Sequence, residues 1–476
     1  MTSTSSTSQT MNAHRAATDL TRLLSPLRLP RSTVGIVGAD PLVPSVHRLG
    51  EASAAAIAAF GHQLAGLLED GGAAPQQVSV SVEQAIDQLR AAYLGTTNGV
   101  PTARIAEDPS ALGNNDFYRA RDDRWIFLIT TYPRQRDAVC TVLNVPPVKD
   151  RIAEAVAHWD AFALEDAVCD AGGVCAVVRT ADEWRSHPAG RHLLGRAVVQ
   201  VERIADADPV PLPAAGPGGP LHGLRVLDNT HVIAGPVSTQ LLSTFGADTL
   251  HLSRPDLPDP IAMAILTGGG KRNAFCDLRD PGQAARVKDL AAQADVYVDS
   301  YRGMAARGFG AEDVARMRPG IVAVQYHCWG ADGPWGQRGG FDQLACAATG
   351  FSYEEWTDRP SLPPTHLLND YLAAYLGAAA TVAALRRRAV EGGSWRVRVD
   401  LAQVCMWVQD LGQFPRSDVA GLPRPTTSSI PVVTTEGPFG TVVQPGLPLR
   451  FSGMPTPAPG PARPLGADTL DWQERR

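Results

Sequence analysis

The run Leu224-Arg225-Val226-Leu227-Asp228-Asn229-Thr230-His231-Val232-Ile233-Ala234-Gly235-Pro236 constrains this chain more than any other stretch. An apolar segment ends in a polar cluster and a small-Gly-Pro turn. A helical pattern from Val237 to Phe245 and an apolar strand from Thr249 to Leu252 follow. Proline at a first helical position has its φ preset and gives up no needed N–H, so the turn opens a helix sharply. Strand, tight turn and helix leave free N–H groups where a phosphate or oxyanion can sit. The pattern predicts one βα unit of an α/β domain.

A length of 476 residues predicts two to four domains, because a single core does not grow that large. The net charge of −6 argues against nucleic acid or an anionic membrane as partner, so local arginines must hold any anionic ligand. The seven cysteines show no C-x-x-C and no His/Cys cluster of zinc spacing, so neither a disulfide framework nor a metal is expected. The Ser/Thr run Met1 to Thr10 has no apolar core behind it and reads as a disordered start, not a signal peptide. No apolar stretch is long enough to span a bilayer, and the expectation is a soluble, cytoplasmic protein.

Two distant segments share a pattern. Pro44-Ser45-Val46-His47 and Glu51 precede an Ala-rich helix (Ala52 to Leu68), Gly71-Gly72 and the strand Val78 to Val82. Pro364-Thr365-His366 and Asp370 precede a second such helix (Ala373 to Arg388), Gly392-Gly393 and the strand Val397 to Leu401. An offset of 319 places Glu51 on Asp370. Alanine suits a helix that lies close against a sheet. Further on, Asp122 to Leu128 reads as a turn entering a buried strand, and Val148 to Asp170 has helical periodicity. Glu183 to Pro188 reads as a short helix stopped by proline, and Asp206 to Pro220 as a Pro/Gly/Ala linker with no buried backbone.

The string from Leu224 to Pro236 resembles the opening of the class III CoA-transferases, which include formyl-CoA:oxalate and carnitine CoA-transferases and the related α-methylacyl-CoA racemases. The resemblance continues in order through Phe245-Gly246-Ala247-Asp248 with Arg254-Pro255, Gly270-Lys271-Arg272-Asn273, and Asp277-Leu278-Arg279. It goes on through Ala294 to Val298, Tyr301-Arg302-Gly303, Arg318 to Val322, Trp329 to Trp335, Gly340-Phe341-Asp342 and Asn369-Asp370. It implies an α/β fold: a Rossmann-like large domain with a smaller α+β domain, here a fused tandem with a truncated first half. The implied boundaries are a disordered start (1–20), a truncated remnant of a first large domain (21–100), a small α+β domain (101–205) and a linker (206–220). The CoA-binding large domain (221–413) and a Pro/Gly-rich tail completing a small domain (414–476) follow. The family's intertwined dimers imply a homodimer or a fused pseudo-dimer.

The resemblance implies transfer of CoA from an acyl-CoA to a carboxylic acid through a covalent acyl-aspartyl anhydride on Asp370, with no permanently bound cofactor. A carboxylate at a helix start, kept ionised by free N–H groups, can attack a thioester, and the thiolate leaves without a strong acid. The bland reading of Asp370 is a capping aspartate. Positions matching the family's CoA contacts are Val232, Arg254, Arg279, Ser300, Tyr301 and Arg307, with Tyr301 placed to stack on adenine and the arginines to meet phosphates. The pair Lys271-Arg272 is either a further cation source or a solvated loop end. The Tyr301-Arg302-Gly303-Met304 loop lacks the family's proline, Ser253 stands where Glu is usual, and Gly113-Asn114-Asn115-Asp116 reads as an ordinary turn, not a glycine-rich lid. There is no G-x-G-x-x-G, and Gly268-Gly269-Gly270-Lys271 lacks P-loop spacing, so nicotinamide, flavin and nucleotide triphosphate are not indicated. Two alternatives stand. An acyl-CoA racemase would need an acid/base pair, which Phe341 cannot join but His327 or His366 could. A non-catalytic CoA-binding protein is the other.

Overall fold

The structure, a computed structural model, describes residues 34–105, 113–213, 218–424 and 430–473. The expected disordered start lies outside these. The first strands, β1 (Val34–Val37) and β2 (Val78–Ser81), are parallel, and the helix Leu49–Asp70 connects them. Short β3 (Thr96–Thr97) and β4 (Val100–Pro101) follow. A separate antiparallel sheet holds β5 (Asp116–Arg119), β6 (Trp125–Leu128) and β7 (Cys175–Val177). Its own core includes Ile126, Leu128, Val139, Ile152, Leu164 and Val177.

The next strand, β8 (Val199–Ala205), leaves that domain and becomes the edge of the large sheet. The large sheet continues with β9 (Arg225–Asn229), β10 (Asp248–Ser253), β11 (Arg272–Phe275), β12 (Val296–Asp299), β13 (Val322–His327) and β14 (Ser394–Asp400). Its order is β11-β10-β9-β12-β13-β14-β8; β9 to β14 are parallel and β8 runs antiparallel to β14. Strands such as Val296-Tyr297-Val298 and Val322-Ala323-Val324 are apolar without alternation because helices bury both faces. Chain order reverses between β9 and β12, so a crevice opens beyond their carboxyl ends.

The Ala-rich helices lie against sheets as expected, Leu49–Asp70 on β1 and β2 and Asn369–Glu391 on β13 and β14, and they also lie against each other. Leu49–Asp70 runs along Asn369–Glu391, and Arg386 reaches across to Asp70 (2.6 Å) and Gln63 (3.2 Å). Small residues permit this close approach: a Cβ on Gly66 would strike the Arg386 guanidinium of the facing helix, and one on Gly377 would strike the Tyr326 hydroxyl of β13. The offset of 319 also carries into structure. Helix, Gly-Gly turn, strand and helix recur as Leu49–Asp70, β2, Val82–Gln88 and as Asn369–Glu391, β14, Leu401–Asp410, with Val82 falling on Leu401. Both strands end one residue earlier than the sequence suggests, because the next residue opens a helix.

Other expectations are corrected locally. Val148 to Asp170 is two helices, Lys149–Val156 and Ala161–Asp170, with the break at Asp160, whose backbone is extended. The helix Ala181–Ser186 does stop before Pro188, yet that proline opens the next helix, Pro188–Leu193. The start of the linker is not free: Gly393 N–H donates to Ala207 O at 2.8 Å and Val210 N–H to Arg388 O at 3.4 Å. The tail pairs elsewhere than with the β5–β7 sheet. Its hairpin β15 (Val432–Gly437) and β16 (Gly440–Pro445) extends β3, and β17 (Leu449–Phe451) pairs with β2. Arg272 Nη1 then holds Asp471 O at 2.6 Å, and Trp472 Nε1 donates to Leu290 O at 3.0 Å, tying the tail to the large domain. No helix among the described residues is long and apolar enough to cross a membrane.

Candidate active site

The crevice past β9 and β12 is a cavity of about 430 Å³. Every residue matched to a CoA contact lines it: Val232, Arg254, Arg279, Ser300, Tyr301 and Arg307. Asp370 lines it too. Loops after β9 to β13 supply most of the wall, and Tyr132, Arg134, Gln135, Gly172 and Val174, from the segments next to β6 and β7, close it.

The helix after β9 spans Ala234–Thr244, so Pro236 is its third residue and not its first. The turn before it is tight: Val232 has φ +68°, a strained setting for a β-branched residue that costs roughly 1–3 kcal/mol. Two carboxylate or hydroxyl partners hold it. His231 N–H donates to Ser300 Oγ at 3.1 Å, and Val232 N–H donates to the Asp259 carboxylate at 3.2 Å. Under this turn lies a buried ion pair. Lys271 Nζ donates to Asp228 Oδ2 (3.0 Å), Pro236 O (3.0 Å) and Thr239 Oγ1 (3.1 Å). Arg272 pairs with Asp248 at 2.9 Å. Lys271-Arg272 is therefore neither a phosphate clamp nor a solvated loop end; both cations brace the sheet.

Asp370 begins the helix Asn369–Glu391, but it is not held ionised by that helix's N–H groups. Asp342 takes them: its Oδ2 accepts from Leu368 N–H (3.0 Å) and Asp370 N–H (2.9 Å), while Asn369 Nδ2 donates to Asp342 O (3.1 Å). Asp370 is buried, and no donor among the described residues reaches its carboxyl group. Burial, and then the neighbouring Asp342 charge, push Asp370 well above the usual carboxylate range. Burial raises Asp342 as well, to about 6, against the pull of its three backbone donors. Of the two acids, Asp342 is the anion and Asp370 the one inclined to hold a proton.

The CoA positions are pre-occupied by partners within the chain. Arg254 pairs with Asp256 at 2.7 Å, and Arg279 with Asp277 (2.6 Å) and Asp256 (2.9 Å), a network of two cations and two anions. Arg307 is exposed, in the short 3-10 turn Ala305–Arg307. The Tyr301 ring stacks on His231 (centroids 4.3 Å apart, planes 20°). Phe341 faces Tyr132 at 5.8 Å, forming an aromatic wall with Trp329. His327 lines the cavity; His366 does not, and packs instead on Tyr93. The equivalent residue in the first segment, Glu51, lies outside the cavity with its carboxylate on Arg48 at 3.1 Å. Asn114 and Asn115 tie an ordinary turn to Pro147 and Thr131. Tyr132 and Arg134 carried no signal in the sequence, since nothing local marks a residue brought in from a distant part of the chain, and Asp259 sits in the loop after β10 with no motif around it. Among the described residues no group of three or more His, Cys, Asp or Glu side chains could hold a metal ion.

Residues 221–426 match the model of the family described as CoA-transferase family III. An acetyl-coenzyme A transferase of Hypoxylon pulicicidum, nodX, is 34% identical over 211 residues, 42% of this chain and 35% of that one. An acyl-CoA transferase of Gibberella moniliformis is 31% identical over 279 residues, 54% of this chain and 48% of that one. The alpha subunit of a succinyl-CoA–L-malate CoA-transferase of Chloroflexus aurantiacus is 28% identical over 222 residues, 43% and 52% of the two chains. This chain thus spans a third to a half of the length of the curated relatives it matches. The crystal structure of Rv3272 from M. tuberculosis aligns over 41% of this chain and 57% of that chain with 29% identity and a TM-score of 0.39. The match to the CoA-transferase family III model covers 206 of the 476 residues, less than half of this chain.

Proposed function

We propose that this protein moves CoA between an acyl-CoA and a carboxylic acid, with Asp370 carrying the acyl group as a mixed anhydride. One observation carries the reading: Asp370 and all six positions matched to CoA contacts line a single cavity. Arg254, Arg279 and Arg307 offer cations to the CoA phosphates, exchanging carboxylate partners for phosphate oxygens, and Tyr301 offers a ring face already ordered by His231. The large sheet serves as a Rossmann-like cradle, with the ligand at its switch point. The small domain and large domain of one chain would then supply both walls, as in a fused pseudo-dimer.

The Asp370 environment fits a nucleophile. An aspartate with few donors and an anionic neighbour is, once ionised, more basic and more reactive than one that caps a helix. Its oxygen attacks the thioester carbonyl, the C–S bond breaks, and CoA leaves as the thiolate. The thiolate attacks the Asp370 carbonyl and displaces the donor acid as its carboxylate; the acceptor carboxylate attacks the resulting thioester, expelling the thiolate and forming a second anhydride; the thiolate then attacks the acceptor's carbonyl, so the acceptor departs as its CoA ester and Asp370 returns as the carboxylate. The racemase alternative has one support, His327 in the cavity, but Phe341 occupies the place of a proton carrier. Asp370→Ala tests the reading: it should abolish transfer with the fold intact. A loss of less than about tenfold, a barrier change of only ~1.4 kcal/mol, contradicts it.

A further inference from the structure

We infer that His47 is a protonated latch that fastens the first segment to the large domain and lets go as the pH rises. His47 stands just before the helix Leu49–Asp70, and its side chain is 0% exposed. Its Nδ1 lies 2.7 Å from Glu355 Oε1 and its Nε2 lies 2.9 Å from Glu354 Oε2, so both ring nitrogens face carboxylates. Each of those oxygens takes a second donor. Ser45 Oγ donates to Glu355 Oε1, and Gln409 Nε2 donates to Glu354 Oε2 at 2.7 Å. Two carboxylate oxygens that accept in this way need both ring nitrogens as donors, a state that only the imidazolium provides. The ring also stacks on Phe351, centroids 3.9 Å apart with planes at 16°, and an aromatic face favours a cation.

The other charges around the ring are turned elsewhere. Arg48 directs its guanidinium to Glu51 (3.1 Å) and over the Phe414 ring (4.3 Å), and Arg416 donates to the backbone oxygen of Glu354. Burial lowers the proton affinity of His47, but the hydrogen bonds and charges of Glu354 and Glu355 outweigh it and hold the imidazolium above its ordinary 6.5. A proton held more tightly by the folded chain stabilises the latch fully below the ordinary value, and that stability is lost as the pH climbs through the raised one. The neutral ring then turns a lone pair toward one carboxylate, leaving a buried charge without its donor. The latch joins distant parts of the chain. Beside it, Phe414 N–H donates to Val46 O at 2.7 Å, and His47 bridges Gln413. Glu354 ends the helix Phe351–Glu354, which follows the helix Asp342–Thr349 across Gly350. Gln409 ties these two helices together, donating to Thr349 O (3.2 Å) as well as to Glu354. Release at this end loosens the far end of the helix whose first residue, Asp342, holds the Asp370 N–H.

Native-state hydrogen exchange of the whole chain, read by mass spectrometry from about pH 5.5 to 8.5 and corrected for the intrinsic chemical rate, follows the opening of residues 45–60 and 342–356. In the parent the opening constant should stay level below about pH 6.5 and then rise by up to about tenfold per pH unit, because one proton is released on opening. His47→Gln should raise the opening constant at acid pH by about tenfold or more and abolish the rise. Glu354→Gln and Glu355→Gln keep the imidazole with one carboxylate fewer, so in each the rise should level off about one pH unit or more earlier than in the parent. A parent whose opening constant stays level across the whole range overturns the inference, and so does a rise that survives unchanged in His47→Gln. If His47→Gln fails to fold, a rise in both glutamate variants that levels off where the parent's does overturns it instead.

Discussion

Lys271→Met removes one partner of the ion pair beneath the site turn. Lys271 is 1% and Asp228 0% exposed, and the ammonium donates to Asp228, Pro236 and Thr239 at 3.0–3.1 Å. Methionine keeps the length of the side chain and loses the charge, so packing changes little. Asp228 retains Thr230 Oγ1 (2.5 Å), Thr239 Oγ1 (2.6 Å) and the His251 imidazole (3.0 Å), but its buried charge loses the lysine cation. Breaking such a pair from one side costs about 3–5 kcal/mol. At roughly 2–4 °C per kcal/mol for a unit of this size, the melting transition should fall by more than about 6 °C. Denaturant unfolding followed by circular dichroism measures it. Adding Asp228→Asn to Lys271→Met should recover at least about 2 kcal/mol, because no charge then remains buried alone. A single variant that loses less than about 1 kcal/mol, or a double variant no better than the single, would refute the reasoning.

Asp342→Asn keeps an oxygen for the helix N–H groups and removes the charge that raises Asp370. Asp370 should then ionise at lower pH, and the acid limb of the pH–rate profile should move down; an upward shift contradicts the electrostatics. Glu51→Ala, which disturbs a carboxylate held by Arg48 outside the cavity, should leave kcat/KM within about threefold of the parent, less than ~0.7 kcal/mol in the barrier. With an α-methyl-branched acyl-CoA in deuterated water, little α-exchange is expected, since Phe341 faces the cavity where a proton carrier would be needed; rapid exchange would favour the racemase alternative.

The sheet and the site's main chain were legible because both are local signals. The apolar runs before each turn, and the arginines and Tyr301 after them, sit at strand ends where a parallel sheet gathers its loops. What the sequence could not disclose depended on distant partners. Asp370 reads as an ionised helix-start carboxylate until Asp342, 28 residues earlier, takes the N–H groups. Lys271 reads as a loop cation until β9 places Asp228 beneath it. The tail's Pro/Gly composition gave no hint that β17 would pair with β2 or that Trp472 would cap Leu290, because pairing across almost the whole chain leaves no local periodicity. Tyr132 and Arg134 reach the cavity only through domain packing.

The central claim is that Asp370 becomes acylated. Incubation with a panel of acyl-CoAs, trapping with hydroxylamine and peptide mass spectrometry test it most directly. The account predicts an acyl mass on the intact parent protein, conversion of Asp370 alone to a hydroxamate, and neither product in Asp370→Ala. Transfer at the full parental rate with no label on Asp370, or a label on any other residue that survives Asp370→Ala, would contradict it.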